Sequence, residues 1–434
     1  MTASISRVIG WEALDSRGRP TVACRVELAD GSTGMARVPS GASAGSHEAT
    51  ELRDGGERYA GRGVLRAVGH VNNVIRHAVL GVPATEVDPV LAGLDESADF
   101  NGIGANATLA VSLASTIAAA DSEGSSLARY LSGAGSLSIP MPMVNIISGG
   151  AHAGGILDVQ DFLVVPYGAA SFAEAIEWSV SVRDSATRVA VQRGFAGAHL
   201  DADEGGLGIP LASNRDALAL LTESIELAGL TPGVDAGIAI DVAASEFYRD
   251  GTYNLRIEDR SLTSLALIDE LESWCNEFAI VSIEDGMAED DWEGWAELTS
   301  RLGGRIELVG DDLFVTHVDR LARGIRESIA NSVLVKVNQN GLLSGAKAVL
   351  DQAHTAGYRA VVSARSGETE DSWLSDIAVG WHAGQIKVGS THRGERTAKW
   401  NRLLELEATE DTVFHGKWTQ VGGSAASPIE RTSA

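Results

Sequence analysis

Positive charge is scarce in this chain, and so is cysteine. The 434 residues carry 34 Lys and Arg against 59 Asp and Glu, a formal net charge of −25. Nothing here would neutralise phosphates in bulk, which argues against nucleic acid and anionic membrane surfaces as partners. Cysteine occurs only at Cys24 and Cys275. With no paired spacing there is no disulfide framework and no Cys-based zinc or redox motif, so two buried, reduced thiols in a cytoplasmic protein are expected. No run of about 18 apolar residues exists, so no membrane span is expected. Met1 to Gly10 lacks a basic stretch followed by an apolar one, so no signal peptide is expected. Lysine is the sharpest shortage, with five residues against 29 arginines. Two of the five stand in apolar surroundings: Lys336 in Val333-Leu334-Val335-Lys336-Val337, and Lys387 after Gln385-Ile386. Arg stays protonated at any accessible pH, whereas a desolvated Lys can lose its proton and act as a base. Proton-transfer chemistry is the first expectation.

At this length one large domain plus a smaller one is the natural division. The first ~130 residues read as a mixed α+β unit. Thr21 to Leu28 alternates as a strand, with Val22, Cys24 and Val26 on one face. The Gly/Ser-rich segment from Pro39 to Ser46 reads as a mobile loop. Leu109, Leu113 and Ile117 mark a packed helix, and Ser132 to Ser136 a linker. Beyond the linker, short apolar runs end in reactive side chains. Asp241, Glu284, Asp311, Lys336, Arg365 with Ser366, and Lys387 each close one, at intervals of 43, 27, 25, 29 and 22 positions. Each interval leaves room for one crossover helix. Trp292, Trp295, Leu298 and Leu302 make one helical stripe, and Leu321, Ile325 and Ile329 another. Strand–helix units at this spacing imply parallel strands, and reactive groups at successive strand ends imply a (β/α) barrel with its site at that rim.

Asp241, Glu284 and Asp311, held close together, would repel one another unless a cation neutralised them. Hard oxygen ligands suit Mg²⁺ or Mn²⁺. Lys336 would be the base, its proton displaced by a nearby dication, by the second ammonium of Lys387 and by burial. Arg365 and Ser366 would clamp an anion. A proton α to a carboxylate is weakly acidic, and its removal creates a dianionic enolate that needs concentrated positive charge. Metal, Lys387 and Arg365 would supply it. The reading that joins these parts is proton abstraction α to a carboxylate, on a small substrate that also bears phosphate. Glu204, in Asp203-Glu204-Gly205-Gly206, would be the acid that expels a leaving group, its glycines allowing close backbone approach.

The sequence resembles the enolases over nearly its whole length. The resemblance is carried by Ala13-Leu14-Asp15-Ser16-Arg17-Gly18, Val38-Pro39-Ser40-Gly41-Ala42-Ser43, Glu51-Leu52-Arg53-Asp54-Gly55 and Gly104-Ala105-Asn106-Ala107. It continues in His152-Ala153-Gly154, Asp203-Glu204-Gly205-Gly206, Asp241-Val242-Ala243-Ala244-Ser245-Glu246, Ser282-Ile283-Glu284-Asp285 and Gly310-Asp311-Asp312-Leu313. It ends with Lys336-Val337-Asn338-Gln339, Arg365-Ser366-Gly367-Glu368 and Gly384-Gln385-Ile386-Lys387. The resemblance implies an α/β protein: an N-terminal α+β capping domain, residues 1–133, packed on a modified (β/α)8 TIM-like barrel, residues 134–434. It implies a Mg²⁺-dependent hydro-lyase that interconverts 2-phosphoglycerate and phosphoenolpyruvate in glycolysis. Two Mg²⁺ per active site are implied, with Asp241, Glu284 and Asp311 holding one and Ser40 helping to hold the other. Lys336 would take the C2 proton, and Glu204 and Asp161 would serve the departing C3 hydroxyl. Arg365 and Ser366 would hold phosphate, Lys387 the carboxylate side, and Gln160 and His152 would also face the substrate. A homodimer or octamer is implied as well.

Two departures from the family pattern stand out. Ala364 stands where the family has His, and Asp161 where it has Glu. Smaller ones are Ala44, Gly286, Gly155 and His47, the last standing where similar loops often carry Tyr. Both larger changes fall on the side where the C3 hydroxyl leaves, while the metal ligands, the base and the phosphate clamp match. Loss of a positioned acid–base group typically costs ~10²–10⁴-fold in rate. A specialised relative with altered leaving-group chemistry is therefore the alternative expectation, for example a carboxyphosphonoenolpyruvate synthase of phosphonate biosynthesis. A non-catalytic binding protein on the same scaffold is the third. Its known form in the family uses C-terminal lysines, and the chain here ends Glu430-Arg431-Thr432-Ser433-Ala434.

Overall fold

The structure is a computed structural model that describes residues 3–41, 45–97 and 99–414. Ala42, Ser43 and Ala44 of the Gly/Ser-rich loop and the C-terminal Glu430 to Ala434 lie outside the described residues.

Three antiparallel strands open the chain, β1 (Ile5–Leu14), β2 (Pro20–Leu28) and β3 (Thr33–Arg37). Val22, Cys24 and Val26 of β2 are fully buried, as the alternation predicts. The sheet packs on α1 (Ala105–Ser122), which is apolar and buried on almost every side. That all-round burial follows from its place between the sheet and the rest of the molecule. Gly34 of β3 permits the approach, since a Cβ there would lie 2.0 Å from the Ala114 carbonyl oxygen. On its other side α1 is tied to the later chain by Thr108 Oγ1, which donates to the Gly341 carbonyl at 2.9 Å.

Eight strands then close a barrel: β4 (Met141–Ser148), β5 (Asp161–Val165), β6 (Gly237–Asp241), β7 (Ile280–Glu284), β8 (Glu307–Gly310), β9 (Ser332–Val335), β10 (Arg359–Ser363) and β11 (Gly384–Gly389). β11 pairs with β4 to complete the circle. Its interior is filled by alternate residues, among them Met141, Met143, Leu163, Ala239, Val309, Leu334 and Val361, so it is a packed core and not a channel. Helices cover the outside. α2 (Phe172–Gln192) and α3 (Asn214–Leu227) both lie between β5 and β6. α4 (Ser264–Glu277), α5 (Trp292–Leu302), α6 (Val318–Glu327), α7 (Leu343–Thr355) and α8 (Trp373–Gly380) follow in single crossovers, and α9 (Gly394–Thr409) comes after β11.

The strands that carry Asp241 to Lys387 pair in parallel, as their spacing implies, and the modification of the barrel lies at one strand before them. β5 runs antiparallel to both β4 and β6, so the strands are not uniformly parallel. The physical reason is the connection. Only 12 residues, 149–160, separate β4 from β5, and no crossover helix lies in them, only a short turn at Gly150–Ala153. The long interval after Asp241 also holds more than a helix, since three short antiparallel strands between Tyr248 and Leu262 precede α4. The α5 stripe buries Trp295, Leu298 and Leu302. Trp292 is only partly covered and lies under the Arg323 guanidinium, 3.8 Å from its ring centre. Ile329 falls outside α6, because Ser328 turns left-handed (φ 54°) and ends it. Both cysteines are free. Cys24 is buried and Cys275 only partly so, and burial pushes both thiols up to about 12. No helix among the described residues is long and apolar enough to cross a membrane.

Candidate active site

One rim of the barrel collects the reactive side chains. Asp241 ends β6, Glu284 ends β7, Asp311 follows β8, Lys336 follows β9, Arg365 and Ser366 follow β10, and Lys387 lies in β11. The reversal of β5 brings its first residue, Asp161, to the same rim, where it pairs with Ser148 on one side and Asp241 on the other. Gln160 precedes it, and its Nε2 donates to Asp241 Oδ2 at 3.2 Å. Loops deliver His152 and Glu204. Gly205 (φ 83°) and Gly206 do allow close approach, but to the protein itself: a Cβ would lie 2.8 Å from the His392 carbonyl at the first and 2.6 Å from Ser148 Oγ at the second. One cavity is lined by His152, Gln160, Glu204, Asp241, Asp311, Lys336, Ala364, Arg365, Ser366 and Lys387. Glu284 is buried beside it, in contact with Lys387.

The two lysines stand directly on the three carboxylates. Lys387 Nζ donates to Asp241 Oδ2 and to Glu284 Oε2, each at 2.7 Å. Lys336 Nζ donates to Asp311 Oδ2. Burial disfavours the Lys387 ammonium, but Asp241 and Glu284 outweigh it and hold its pKa well above the usual lysine range. Burial likewise opposes ionisation of Asp241, and Lys387 reverses the balance, lowering its pKa. Glu284 is pushed well up by burial and by Asp241. Lys336 is the instructive group. Burial, Arg365 and Lys387 favour the neutral amine, yet Asp311 and Glu284 keep its pKa above the ordinary value. A divalent cation that took those carboxylates would leave the three influences that strip the proton.

The donor set fits such a cation. The groups are hard oxygens, and buried Glu284 Oε1 has no hydrogen-bond partner among the described residues. Lys387 bridges Asp241 and Glu284, Lys336 reaches Asp311 alone, and the three carboxylates are not among the tightest acidic groups. Tighter groupings, with ligand atoms all within 4.8 Å of one another, are His152 with Asp161 and Glu204, and Asp285 with Asp311 and Asp312. Asp285 is a residue whose part the motifs did not reveal. Its carboxylate accepts the backbone N–H of Asp311 at 2.9 Å and of Asp312 at 2.8 Å, which sets the turn that aims Asp311. Gln339 was equally illegible. It donates to Asp311 Oδ1 at 3.0 Å and accepts from Thr316 Oγ1 at 2.7 Å. Only the fold brings these partners together.

Three further residues lie outside the lining of this cavity. Ser40 does not line the cavity. Its Oγ donates to Glu51 at 3.0 Å and accepts from Arg53 at 3.1 Å, and its backbone pairs with Gly367. His47 is about half exposed and faces Asp290 at 3.8 Å, away from the cavity. Asp161 is fully buried behind the site. Its carboxylate accepts from Asn145 Nδ2 at 2.5 Å and Ser148 Oγ at 3.1 Å, and it meets His152 Nδ1 at 2.8 Å. The shorter side chain thus works on His152 and leaves the cavity to others. His152 in turn presents Nε2 to Glu204 Oε1 at 3.7 Å.

Burial disfavours the charged imidazole, but Asp161 and Glu204 prevail and raise the His152 pKa to about 9. Burial opposes ionisation of Glu204 as well, and His152, with Arg396, holds it below the usual range. The raised His152 pKa contributes stability that is fully present below the ordinary histidine value of about 6.5. That contribution is lost as pH rises through about 9. An NMR titration of the ring protons is expected to show His152 charged at pH 8, and Asp161→Asn to return its midpoint toward the ordinary value. A midpoint near 6.5 in the unaltered protein would contradict the Asp161–His152–Glu204 relay.

Comparison with known families agrees with this geometry. A model described as "Enolase, N-terminal domain" matches residues 5–131, and one described as "Enolase, C-terminal TIM barrel domain" matches residues 136–421. A capping sheet, a closed eight-stranded barrel and acidic groups suited to a divalent metal at its rim accompany those matches, and the chain belongs to the enolase family.

Proposed function

We propose that this protein is a Mg²⁺-dependent lyase that removes the proton α to the carboxylate of a small phosphorylated acid, with 2-phosphoglycerate, dehydrated to phosphoenolpyruvate, as the leading substrate. The observation that carries the reading is the pair of ammonium groups, Lys387 buried and Lys336 partly so, seated on Asp241, Glu284 and Asp311, with Arg365 and Ser366 lining the same cavity. Asp241, Glu284 and Asp311 would hold the ion, which when bound supplies positive charge beside the substrate carboxylate. Mn²⁺ would suit the same donors. Arg365 and Ser366 take the phosphate, and Lys387 faces the carboxylate. The neutral amine of Lys336 accepts the C2 proton. The C3–O bond then breaks, and the hydroxyl leaves as water with a proton from the Glu204–His152 pair. His152 holds that proton, since Glu204 is kept ionised beside it.

A specialised relative is the second reading, and a specific observation favours it. A methyl group, that of Ala364, lines the cavity, and Asp161 has withdrawn behind His152. The proton-abstracting half keeps its residues while the leaving-group half is rebuilt, which suits a related phospho- or phosphono-carboxylate. Incubation with 2-phosphoglycerate and Mg²⁺, followed by ultraviolet absorbance and by exchange of the C2 proton in D₂O, separates the readings. Enol phosphate at ordinary enolase rates eliminates the specialised one, and exchange without dehydration supports it. A protein that bound no Mg²⁺ in calorimetry would instead be a binding protein on this scaffold.

A further inference from the structure

Arg365 is not waiting bare for an anion. Glu48, 317 residues away in sequence, reaches it from the N-terminal segment. Arg365 Nη1 donates to Glu48 Oε2 at 2.9 Å and Nη2 donates to Oε1 at 3.3 Å, a two-pronged contact across the end of the guanidinium. Arg365 is buried and Glu48 largely covered, at 4% and 10% side-chain exposure. Asn338 Oδ1 accepts a further hydrogen bond from Nη1 at 2.9 Å. Glu48 is anchored in turn, accepting from Gly45 N at 2.9 Å and from Gln339 Nε2 at 3.4 Å. Arg365 lies in the wall between two cavities, one holding the lysines and the other lined by Glu48. A carboxylate of the protein therefore already sits on both Nη atoms of the guanidinium.

We propose that Glu48 sets the anion specificity of the Arg365 clamp, admitting doubly charged phosphoryl or phosphonyl groups and excluding singly charged carboxylates. This rests on the reading of Arg365 as the substrate's anion clamp. Exchanging one carboxylate for another on the same guanidinium gains no charge. The incoming one also competes with a rival that the fold already holds against the guanidinium. A dianion brings a second charge, which strengthens its attraction to the desolvated guanidinium. That margin allows it to displace Glu48, which has a cavity of its own to move into.

Calorimetry on the full chain at fixed Mg²⁺, with inorganic phosphate and acetate as probes, tests this. The unaltered protein is expected to bind phosphate and not acetate. Glu48→Gln is expected to tighten phosphate about tenfold and to make acetate binding measurable. Glu48→Asp, still charged but one methylene shorter, is expected to tighten phosphate less and still exclude acetate. It decides the matter if the glutamine variant fails to fold. Phosphate affinity unchanged or weakened in these variants would overturn the proposal and make Glu48 a brace for Arg365. Arg365→Gln separates the two levels. If it binds phosphate like the unaltered protein, the clamp itself is wrongly assigned, and the fault lies in the proposed function.

Discussion

Lys336→Ala is expected to lower turnover of the true substrate by about 10²–10⁴-fold and to abolish exchange of its α proton with D₂O. The side chain sits just past β9, largely covered, with Nζ on Asp311 and with Arg365 and Lys387 close enough to oppose its charge. No other amine among the described residues lines the cavity except Lys387, and that one is held protonated by two carboxylates. Truncation also strips Asp311 of its ion-pair partner, so a loss of activity alone would be ambiguous. Lys336→Arg resolves this. Arginine keeps the positive charge beside Asp311 but does not give up its proton. It is expected to keep the thermal stability of the unaltered protein and still lack exchange. Exchange at an undiminished rate in either variant would remove Lys336 as the base.

Lys387→Met is expected to be the most destabilising of the site substitutions. The ammonium bridges Asp241 and Glu284 at 2.7 Å to each, and all three side chains are at most 7% exposed. Removing it leaves two buried carboxylates facing one another, and breaking a buried ion pair from one side costs about 3–5 kcal/mol. In urea the unfolding midpoint should fall sharply without divalent ions. Saturating Mg²⁺ should recover much of the loss, because the ion takes the same oxygens. A midpoint that Mg²⁺ does not move would mean that Asp241 and Glu284 are not its ligands.

The legible part of this protein was its periodic part. β2 and α1 follow from alternation and from an apolar four-residue spacing, and β6 to β11 follow from short apolar runs that each end in a charged or hydroxyl side chain. Asp241, Glu284, Asp311, Lys336, Arg365, Ser366 and Lys387 were found because they interrupt those runs. Asp161 and Gln160 were placed by resemblance alone, since a reversed strand carries no signal in its own five residues. Ser40 was likewise assigned by resemblance, and its contacts with Glu51 and Arg53 appear only in the fold. Glu48 gave no signal at all, because a glutamate in a polar segment reads as solvated until its partner, 317 residues on, is seen.

Sequence by itself determined the family, the two-part architecture and the list of groups capable of acid–base and metal chemistry. These rest on local pattern, and the polypeptide carries local pattern wherever it goes. Tertiary structure alone decided which lysine bridges which carboxylates, that Asp161 serves His152 from behind, and that a native carboxylate already covers Arg365. Those are relations between segments far apart along the chain. Their strength depends on distance and burial, and neither exists until the barrel closes.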